Sequence, residues 1–162
     1  MSLVMSVHAA DQDEFAYGYK GHTLIYRILS ESERTCAVTD YTSGPVGALE
    51  LPDCVYYRGI EYTLVEISRS AFSVCSDLTS VVIPNSVKTI GDYAFNNCSR
   101  VTSVVIGNSV KNIGYGAFAH CYELTSVEIP NSVQTIGDYA FAYCSKITSC
   151  GIPISEHTIG DC

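Results

Sequence analysis

Cysteine offers this chain more reactive chemistry than any other residue, and eight cysteines occur among its 162 residues. Four of them recur every 23 residues, each three positions after a phenylalanine: Cys75, Cys98, Cys121 and Cys144. If copies of the repeat stack, neighbouring Cα atoms in this column lie about 5 Å apart, within disulfide range, but their Cβ vectors run parallel instead of facing each other. We therefore predict buried thiols that pack as small hydrophobic groups. A disulfide is considered only for Cys36 and Cys54, outside the column.

The histidines form no catalytic or metal-binding pattern. No C-x-x-C motif and no cysteine–histidine pair at ligand spacing occurs, so the sequence predicts no metal and no cofactor. His120 and Cys121 are adjacent, but neighbouring side chains in an extended segment point apart, and a thiol in the column is buried. We therefore expect no catalytic residues and no enzymatic activity. An enzyme with a cysteine nucleophile is the least favoured hypothesis, and it requires an accessible thiol with a lowered pKa.

Charge narrows the classes of partner. Nine basic and seventeen acidic residues give a net charge of −8, which repels nucleic-acid phosphates and anionic lipid head groups, so neither partner is expected. No apolar run approaches the roughly 18 to 20 residues of a membrane-spanning helix. Some of the carboxylates recur after a glycine, at Asp92, Asp138 and Asp161, in a row that Tyr115 interrupts. We expect solvated surface charge there rather than a Ca²⁺ site.

The 23-residue period extends to the apolar residues and determines the fold. Residues 78–100 and 124–146 are identical at 18 of 23 positions. Because so short a unit cannot enclose a core alone, neighbouring copies must stack, and each column of like residues becomes a ladder through the interior. The columns contain phenylalanines (Phe72, Phe95, Phe118, Phe141), alanines (Ala71, Ala94, Ala117, Ala140) and isoleucines (Ile83, Ile106, Ile129, Ile152, and Ile67, Ile90, Ile113, Ile136, Ile159).

Each copy contains one clear strand signal. Leu78, Val81 and Ile83 have the L-x-x-L-x-L spacing in which a short strand joins a parallel sheet along one side of a solenoid. Residues 84–86 then turn the chain, and Gly91 marks a second bend. No long helix is predicted. The sequence therefore predicts a mainly β solenoid with a short-stranded parallel sheet.

The repeat consensus, L-x-S-V-x-I-P-x-S-V-x-x-I-G-x-x-A-F-x-x-C, resembles the BspA-like leucine-rich-repeat family of bacterial and protozoal surface and secreted proteins. The resemblance covers roughly residues 60–162. It implies a leucine-rich-repeat right-handed superhelix, an extracellular or cell-surface location, and adhesion to host or matrix partners.

We expect three segments along the chain. Residues 1–14 are predicted to be disordered, or the remnant of a secretory signal or of the expression vector. Residues 15–59 are predicted to form a β-rich N-terminal cap, because the first rung of a solenoid exposes strand edges and apolar groups. In the cap, β-prone runs at 24–29 and 35–39 flank a polar turn, and residues 57–60 indicate a hairpin turn. The repeats occupy residues 60–162, about four copies with the last incomplete.

Aromatic residues near the turns of the rungs are the preferred contact surface. Tyrosine suits either a protein partner or stacking on sugar rings, although these rings could equally cover the rung edges. The leading hypothesis is a non-catalytic cell-surface or secreted binding module for a protein or glycan; the alternative is a structural spacer within a longer surface protein. The candidate partner-binding residues are Tyr93, His120, Tyr122, Tyr139, Tyr143 and, on the predicted sheet, Glu128.

Overall fold

The computed structural model of the protein describes residues 14–147 and 149–151, and within them it contains strands and turns but no helix. The predicted segment 1–14 therefore lies outside the described residues, apart from Glu14. Its strands are β1 (Glu14–Tyr19), β2 (His22–Ser30), β3 (Thr35–Tyr41), β4 (Gly47–Glu50), β5 (Cys54–Tyr57), β6 (Ile60–Ile67), β7 (Leu78–Val82), β8 (Thr89–Ile90), β9 (Ser103–Val105), β10 (Asn112–Ile113), β11 (Ser126–Glu128), β12 (Thr135–Ile136) and β13 (Ser149–Gly151).

The hydrophobic columns of the sequence become two sheets, one on each of two sides of the solenoid, in which the strands of the repeats pair in parallel. The front sheet has the order β13-β11-β9-β7-β4, and the back sheet has the order β1-β2-β3-β6-β8-β10-β12, with β5 paired to β6. In the front sheet, Val81 lies opposite Val104, which lies opposite Val127, so the register repeats every 23 residues. The predicted β solenoid with short parallel strands is confirmed.

A third side of each rung consists of consecutive β-turns; we call it the turn face (residues 68–76, 91–99, 114–122 and 137–145). Its backbone hydrogen bonds run from rung to rung: the amide of Phe95 donates to the carbonyl of Ala117 at 2.7 Å, and that of Asn97 to Ala119 at 2.8 Å. The turn face is therefore tied along the solenoid axis as firmly as the sheets are, which makes it a rigid surface.

Phenylalanines fill the interior behind the turn face. Phe95 stacks on Phe72 at 5.1 Å between ring centroids and on Phe118 at 5.3 Å, and Phe118 stacks on Phe141 at 5.3 Å. The first ring of this ladder is covered by Tyr41 of β3, with centroids 6.4 Å apart. Stacked aromatic pairs add stabilisation beyond the area they bury, so the ladder fixes the rung spacing.

Glycine follows the back-sheet strands β8, β10 and β12 because the rungs approach each other most closely there. A Cβ at Gly114 would lie 2.5 Å from the nitrogen of Asp92 and 2.6 Å from the carbonyl carbon of Gly91, distances that real Cβ atoms do not reach. The same holds at Gly137. This approach lets the Gly114 amide donate a 2.8 Å hydrogen bond to the carbonyl of Ile90.

The N-terminal strands cover the first rung. β1, β2 and β3 form an antiparallel sheet whose last strand pairs in parallel with β6, so the cap continues the back sheet. The runs predicted at 24–29 and 35–39 lie within β2 and β3, and Arg58 and Gly59, with φ of 50° and 79°, form the expected hairpin turn. The boundary at residue 60 stays a prediction; β4 already pairs in parallel with β7, so the front sheet begins at Gly47.

The disulfide considered between Cys36 and Cys54 is absent, and both thiols are free. Cys36 pairs with Leu64 of β6, whereas Cys54 pairs with Thr63 of the same strand from the opposite edge. Two strand spacings, about 9.6 Å, therefore separate the two cysteines, beyond the roughly 4.4 to 6.8 Å between the Cα atoms of a disulfide.

Candidate functional site

Two columns of the turn face have left-handed backbone conformation. The first column contains Ser70, Tyr93, Gly116 and Tyr139, and the second contains Val74, Asn97, His120 and Tyr143; their φ angles lie between 56° and 64°. Glycine or asparagine adopts this conformation at the lowest cost, whereas other residues pay about 1 kcal/mol or more. Tyrosine and histidine at such positions are thus costly, which favours a role for their side chains.

Tyrosines of three successive rungs form one continuous row, which we call the tyrosine row (Tyr93, Tyr115 and Tyr139). The ring centroids lie 5.3 Å apart between Tyr93 and Tyr115 and 5.4 Å apart between Tyr115 and Tyr139, with the planes inclined by 62° and 63°. Tyr115 is 39% exposed and Tyr139 is 43% exposed. The row therefore presents aromatic surface to solvent across three rungs.

Gly116 makes room for this arrangement. A Cβ at Gly116 would lie 3.0 Å from two ring carbons of Tyr93, so the ring of Tyr93 lies directly over this glycine. In the third rung, the sequence Tyr115-Gly116 replaces the Asp-Tyr found at Asp92-Tyr93. Moving the tyrosine back by one position vacates the space for the ring of Tyr93 and still continues the row.

Charged groups border the tyrosine row. The guanidinium of Arg69 lies over the ring of Tyr93, 5.6 Å from its centroid. An Oδ1 atom of Asp92 accepts a 2.9 Å hydrogen bond from the amide of Tyr115. Partial burial, the phenols of Tyr93 and Tyr139, and the carboxylate of Asp138 raise the pKa of Tyr115 above its ordinary value. Of these groups only Asp138 is charged at neutral pH, so the centre of the row has a carboxylate near it.

The remaining aromatic candidates form a second group, the histidine cluster (His120, Tyr122 and Tyr143). The ring of His120 stacks on that of Tyr143, with centroids 4.5 Å apart and planes inclined by 8°. The Nδ1 atom of His120 and the hydroxyl of Tyr122 are hydrogen-bonded at 2.9 Å. Tyr143 is 68% exposed, so this cluster is also a surface feature.

The structure divides the six residues suggested by the sequence. Tyr93 and Tyr139 belong to the tyrosine row, whereas His120, Tyr122 and Tyr143 belong to the histidine cluster. Glu128 is with neither: it lies in β11 of the front sheet, opposite Val105 of β9. That these residues bind a partner stays a prediction.

Tyr115 is the candidate that sequence reasoning missed. Its position in the 23-residue register is an aspartate position, so in the sequence it only interrupts the carboxylate row. The signal was the adjacent Gly116, the one glycine in a column that holds Ser70, Tyr93 and Tyr139. A tyrosine displaced by one residue and followed by a glycine indicates that the glycine leaves room for the tyrosine ring of the preceding rung.

In the cysteine column Cys75, Cys98 and Cys121 are buried and Cys144 is half-buried. The thiol of Cys98 donates to the carbonyl of Phe72 at 3.2 Å, that of Cys121 to Phe95 at 3.4 Å, and that of Cys144 to the phenylalanine of the preceding rung at 3.2 Å. Burial raises the pKa of Cys98 to about 12. The neighbouring Cys144 thiol and burial raise the pKa of Cys121 above its ordinary value. These thiols are structural donors, a role that the sequence did not reveal.

Residues 14–147 and 149–151 contain no group of three or more histidine, cysteine, aspartate or glutamate side chains arranged to hold a metal ion. Over the same residues, no helix has the length and apolar character needed to cross a bilayer.

Solved structures with the same fold include bacterial leucine-rich repeat proteins. A leucine-rich repeat protein from Bacteroides ovatus is 29% identical, with a TM-score of 0.67, over 84% of this chain and 41% of its own. One from Bacteroides capillosus is 27% identical, with a TM-score of 0.71, over 83% of this chain and 96% of its own. A leucine rich cell surface protein from Faecalibacterium prausnitzii is 28% identical, with a TM-score of 0.60, over 85% of this chain and 42% of its own.

The chain thus spans about two fifths of the length of two of these relatives. A comparison with curated proteins gives no match. The family model described as "BspA type Leucine rich repeat region" matches residues 63–162 in six copies. Because this match covers more than half of the sequence, and the stacked rungs have the corresponding fold, the protein belongs to the BspA-type leucine-rich-repeat family.

Proposed function

We propose that this protein is a non-catalytic binding module of a cell-surface or secreted protein, and that it adheres to a protein or glycan through the turn face of its repeats. The observation that carries the proposal is the tyrosine row: three tyrosines from successive rungs on a rigid backbone, with about two fifths of Tyr115 and Tyr139 exposed. Tyrosine is enriched at binding hot spots, because it combines a large rigid apolar area with a polar hydroxyl.

The backbone beneath the row supports a binding role. Amides of the first left-handed column donate to the next rung, that of Tyr93 to the carbonyl of Tyr115 at 2.9 Å and that of Gly116 to Asp138 at 3.0 Å. A surface held in this way loses little conformational entropy when a partner binds, which favours affinity. Solenoids in general bind through such extended faces.

The surface location is supported by family membership and by the relative from Faecalibacterium prausnitzii that is described as a cell surface protein. The non-catalytic character is supported by the thiols, since burial raises the pKa of Cys98 and of Cys36 to about 12 and a nucleophilic cysteine needs the opposite shift. Leucine-rich repeats act mainly as binding scaffolds.

The experiment is a binding screen of the purified chain against extracellular-matrix proteins and a glycan array. Hits are repeated with Tyr115→Ala, Tyr139→Ala and Tyr143→Ala, and with Tyr56→Ala as a control for an exposed tyrosine of the cap. Saturable binding that the turn-face changes weaken, and the control does not, is the expected result. If no member of either set binds, the proposal fails and the spacer function is favoured. If binding resists all turn-face changes, the front sheet with Glu128 is the contact surface instead.

A further inference from the structure

The tyrosine row has a chemistry that specifies its partner more narrowly than a general adhesive surface. We propose that the tyrosine row, with Asp92 and Asp138 beside it, binds the cationic side chains of an extended arginine- or lysine-containing segment of a protein partner. This inference rests on the proposed function, because it assigns the binding module a surface and a partner chemistry.

The tyrosine row already holds one cation. The exposed Arg69 places its guanidinium 5.6 Å from the centroid of Tyr93, within the distance at which a cation is attracted to an aromatic face. Tyr115 and Tyr139 continue the row with more exposed rings, and within the described residues no basic side chain lies over either of them. The same interaction is therefore open to a cation from outside.

Negative charge near the tyrosine row also favours a cationic partner. Asp138 is exposed, and its backbone carbonyl is bonded to the amide of Gly116, next to Tyr115 in the chain. The whole chain carries a net charge of −8, which attracts a basic partner over longer distances. The basic residues of the neighbouring back sheet, Lys88 and Lys111, precede β8 and β10, at the ends of these strands away from the row.

The orientation of the rings favours a peptide over a glycan. Successive rings are inclined by 62° and 63°, so they offer no coplanar platform on which consecutive sugar rings could lie. Separate cationic side chains, in contrast, each need the face of only one aromatic ring. Alternate side chains of an extended peptide recur on one side about every 6.8 Å. Long arginine and lysine side chains can match that repeat to rings 5.4 Å apart, such as Tyr115 and Tyr139.

The test uses the full chain and a fluorescein-labelled peptide in which arginine and serine alternate, with fluorescence anisotropy as the readout. A second peptide replaces each arginine by citrulline, which keeps the shape and most hydrogen-bond donors but removes the charge. The variants are Tyr115→Leu with Tyr139→Leu, and Asp138→Asn. Their matched controls are Tyr56→Leu in the cap and Glu128→Gln on the front sheet, which repeat each chemical change elsewhere. Tyr115→Phe keeps the aromatic face and guards against a general loss of folding.

We expect the double tyrosine variant to weaken binding of the arginine peptide about tenfold, as two exposed cation–aromatic contacts would contribute. Tyr115→Phe and both controls should stay within about twofold of the unchanged protein, Asp138→Asn should weaken binding more than Glu128→Gln, and the citrulline peptide should not bind.

Three results would overturn the inference. Equal losses for Asp138→Asn and Glu128→Gln, with no loss for the tyrosine variant, would mean unspecific attraction to an acidic protein. Equal affinity for the citrulline peptide would remove the role of charge. Binding of a neutral oligosaccharide such as cellohexaose that depends on the row, with none of the peptide, would assign the row to glycans. In the last case the proposed binding function would stand, since the array screen tests it separately.

Discussion

Replacing Gly114 with alanine would force a methyl group into the closest contact between two rungs. Its Cβ would lie 2.5 Å from the nitrogen of Asp92, whereas ordinary contact begins at 3.4 Å, so the rungs would have to separate locally by about 0.9 Å. The hydrogen bond from the Gly114 amide to the carbonyl of Ile90, now 2.8 Å long, would stretch to about 3.7 Å and be lost. The hydrogen bond from the amide of Tyr115 to Asp92, now 2.9 Å long, would lengthen and be lost in the same way.

The loss of these two hydrogen bonds determines how much Gly114→Ala should destabilise the protein. Each hydrogen bond contributes about 0.5 to 1.5 kcal/mol net, and a donor left unpaired costs about 1 to 3 kcal/mol. We therefore expect Gly114→Ala to lower the free energy of unfolding by about 2 to 4 kcal/mol, measured by urea denaturation followed by far-UV circular dichroism. The conformation of Gly114 contributes little, because its φ is not in the left-handed region.

Two other glycines provide controls. Gly44 has only a side-chain atom of Tyr41 near its Cβ position, at 3.9 Å, so Gly44→Ala should be neutral or slightly stabilising. Gly59 has open space but a φ of 79°, so Gly59→Ala should cost about 1 kcal/mol through the backbone alone. A free energy for Gly114→Ala within 0.5 kcal/mol of the unchanged protein, a threshold near the scatter of surface substitutions, would refute the role assigned to close rung contact.

Three further outcomes are expected. Phe118→Leu removes two stacked ring pairs and should cost about 1 to 3 kcal/mol more than the lost area alone, whereas Phe141→Leu, with one stacked neighbour among the described residues, should lose about half as much in the same denaturation assay. Timed alkylation with peptide mapping by mass spectrometry should modify half-buried Cys54 at least about 100-fold faster than buried Cys98, whose pKa is raised to about 12; similar rates would show that the rungs open readily. Glu123→Gln breaks an exposed ion pair with a lysine of the next rung and should change stability by less than about 0.5 kcal/mol, so a larger loss would mean that this pair is coupled to the core.

The sequence predicted the solenoid because each rung repeats the same residues in the same register. A column of like residues, such as the phenylalanines from Phe72 to Phe141, is buried only if it forms a ladder through stacked rungs. The strands on either side follow from this stacking. The cap was predictable as β structure for a similar reason, since alternating β-prone runs separated by polar turns form hairpins. Local sequence pattern and tertiary packing favour the same structure in these segments, so their fold could be predicted from the sequence.

What the sequence could not supply depends on directions in space. The tyrosine row joins Tyr115 to rings that occupy a different position of the repeat, and only left-handed backbone geometry brings their side chains together. The separation of Cys36 from Cys54 follows from β6 lying between them, a pairing of strands distant in sequence. The thiol hydrogen bonds link each cysteine to a residue 26 positions earlier, a spacing that no residue-type pattern marks.

The direction of the turn-face hydrogen bonds has a mechanical consequence. They run along the solenoid axis, with partners such as Ser73 and Asn96 one rung apart in the chain. A pull along that axis would load the bonds of one rung at a time, so the protein should unravel stepwise at low force instead of breaking in one event. Each released rung of 23 residues would add about 80 Å of extended chain. In an attached molecule exposed to flow, such a tether would lengthen under load and dissipate energy before its anchored contacts were strained.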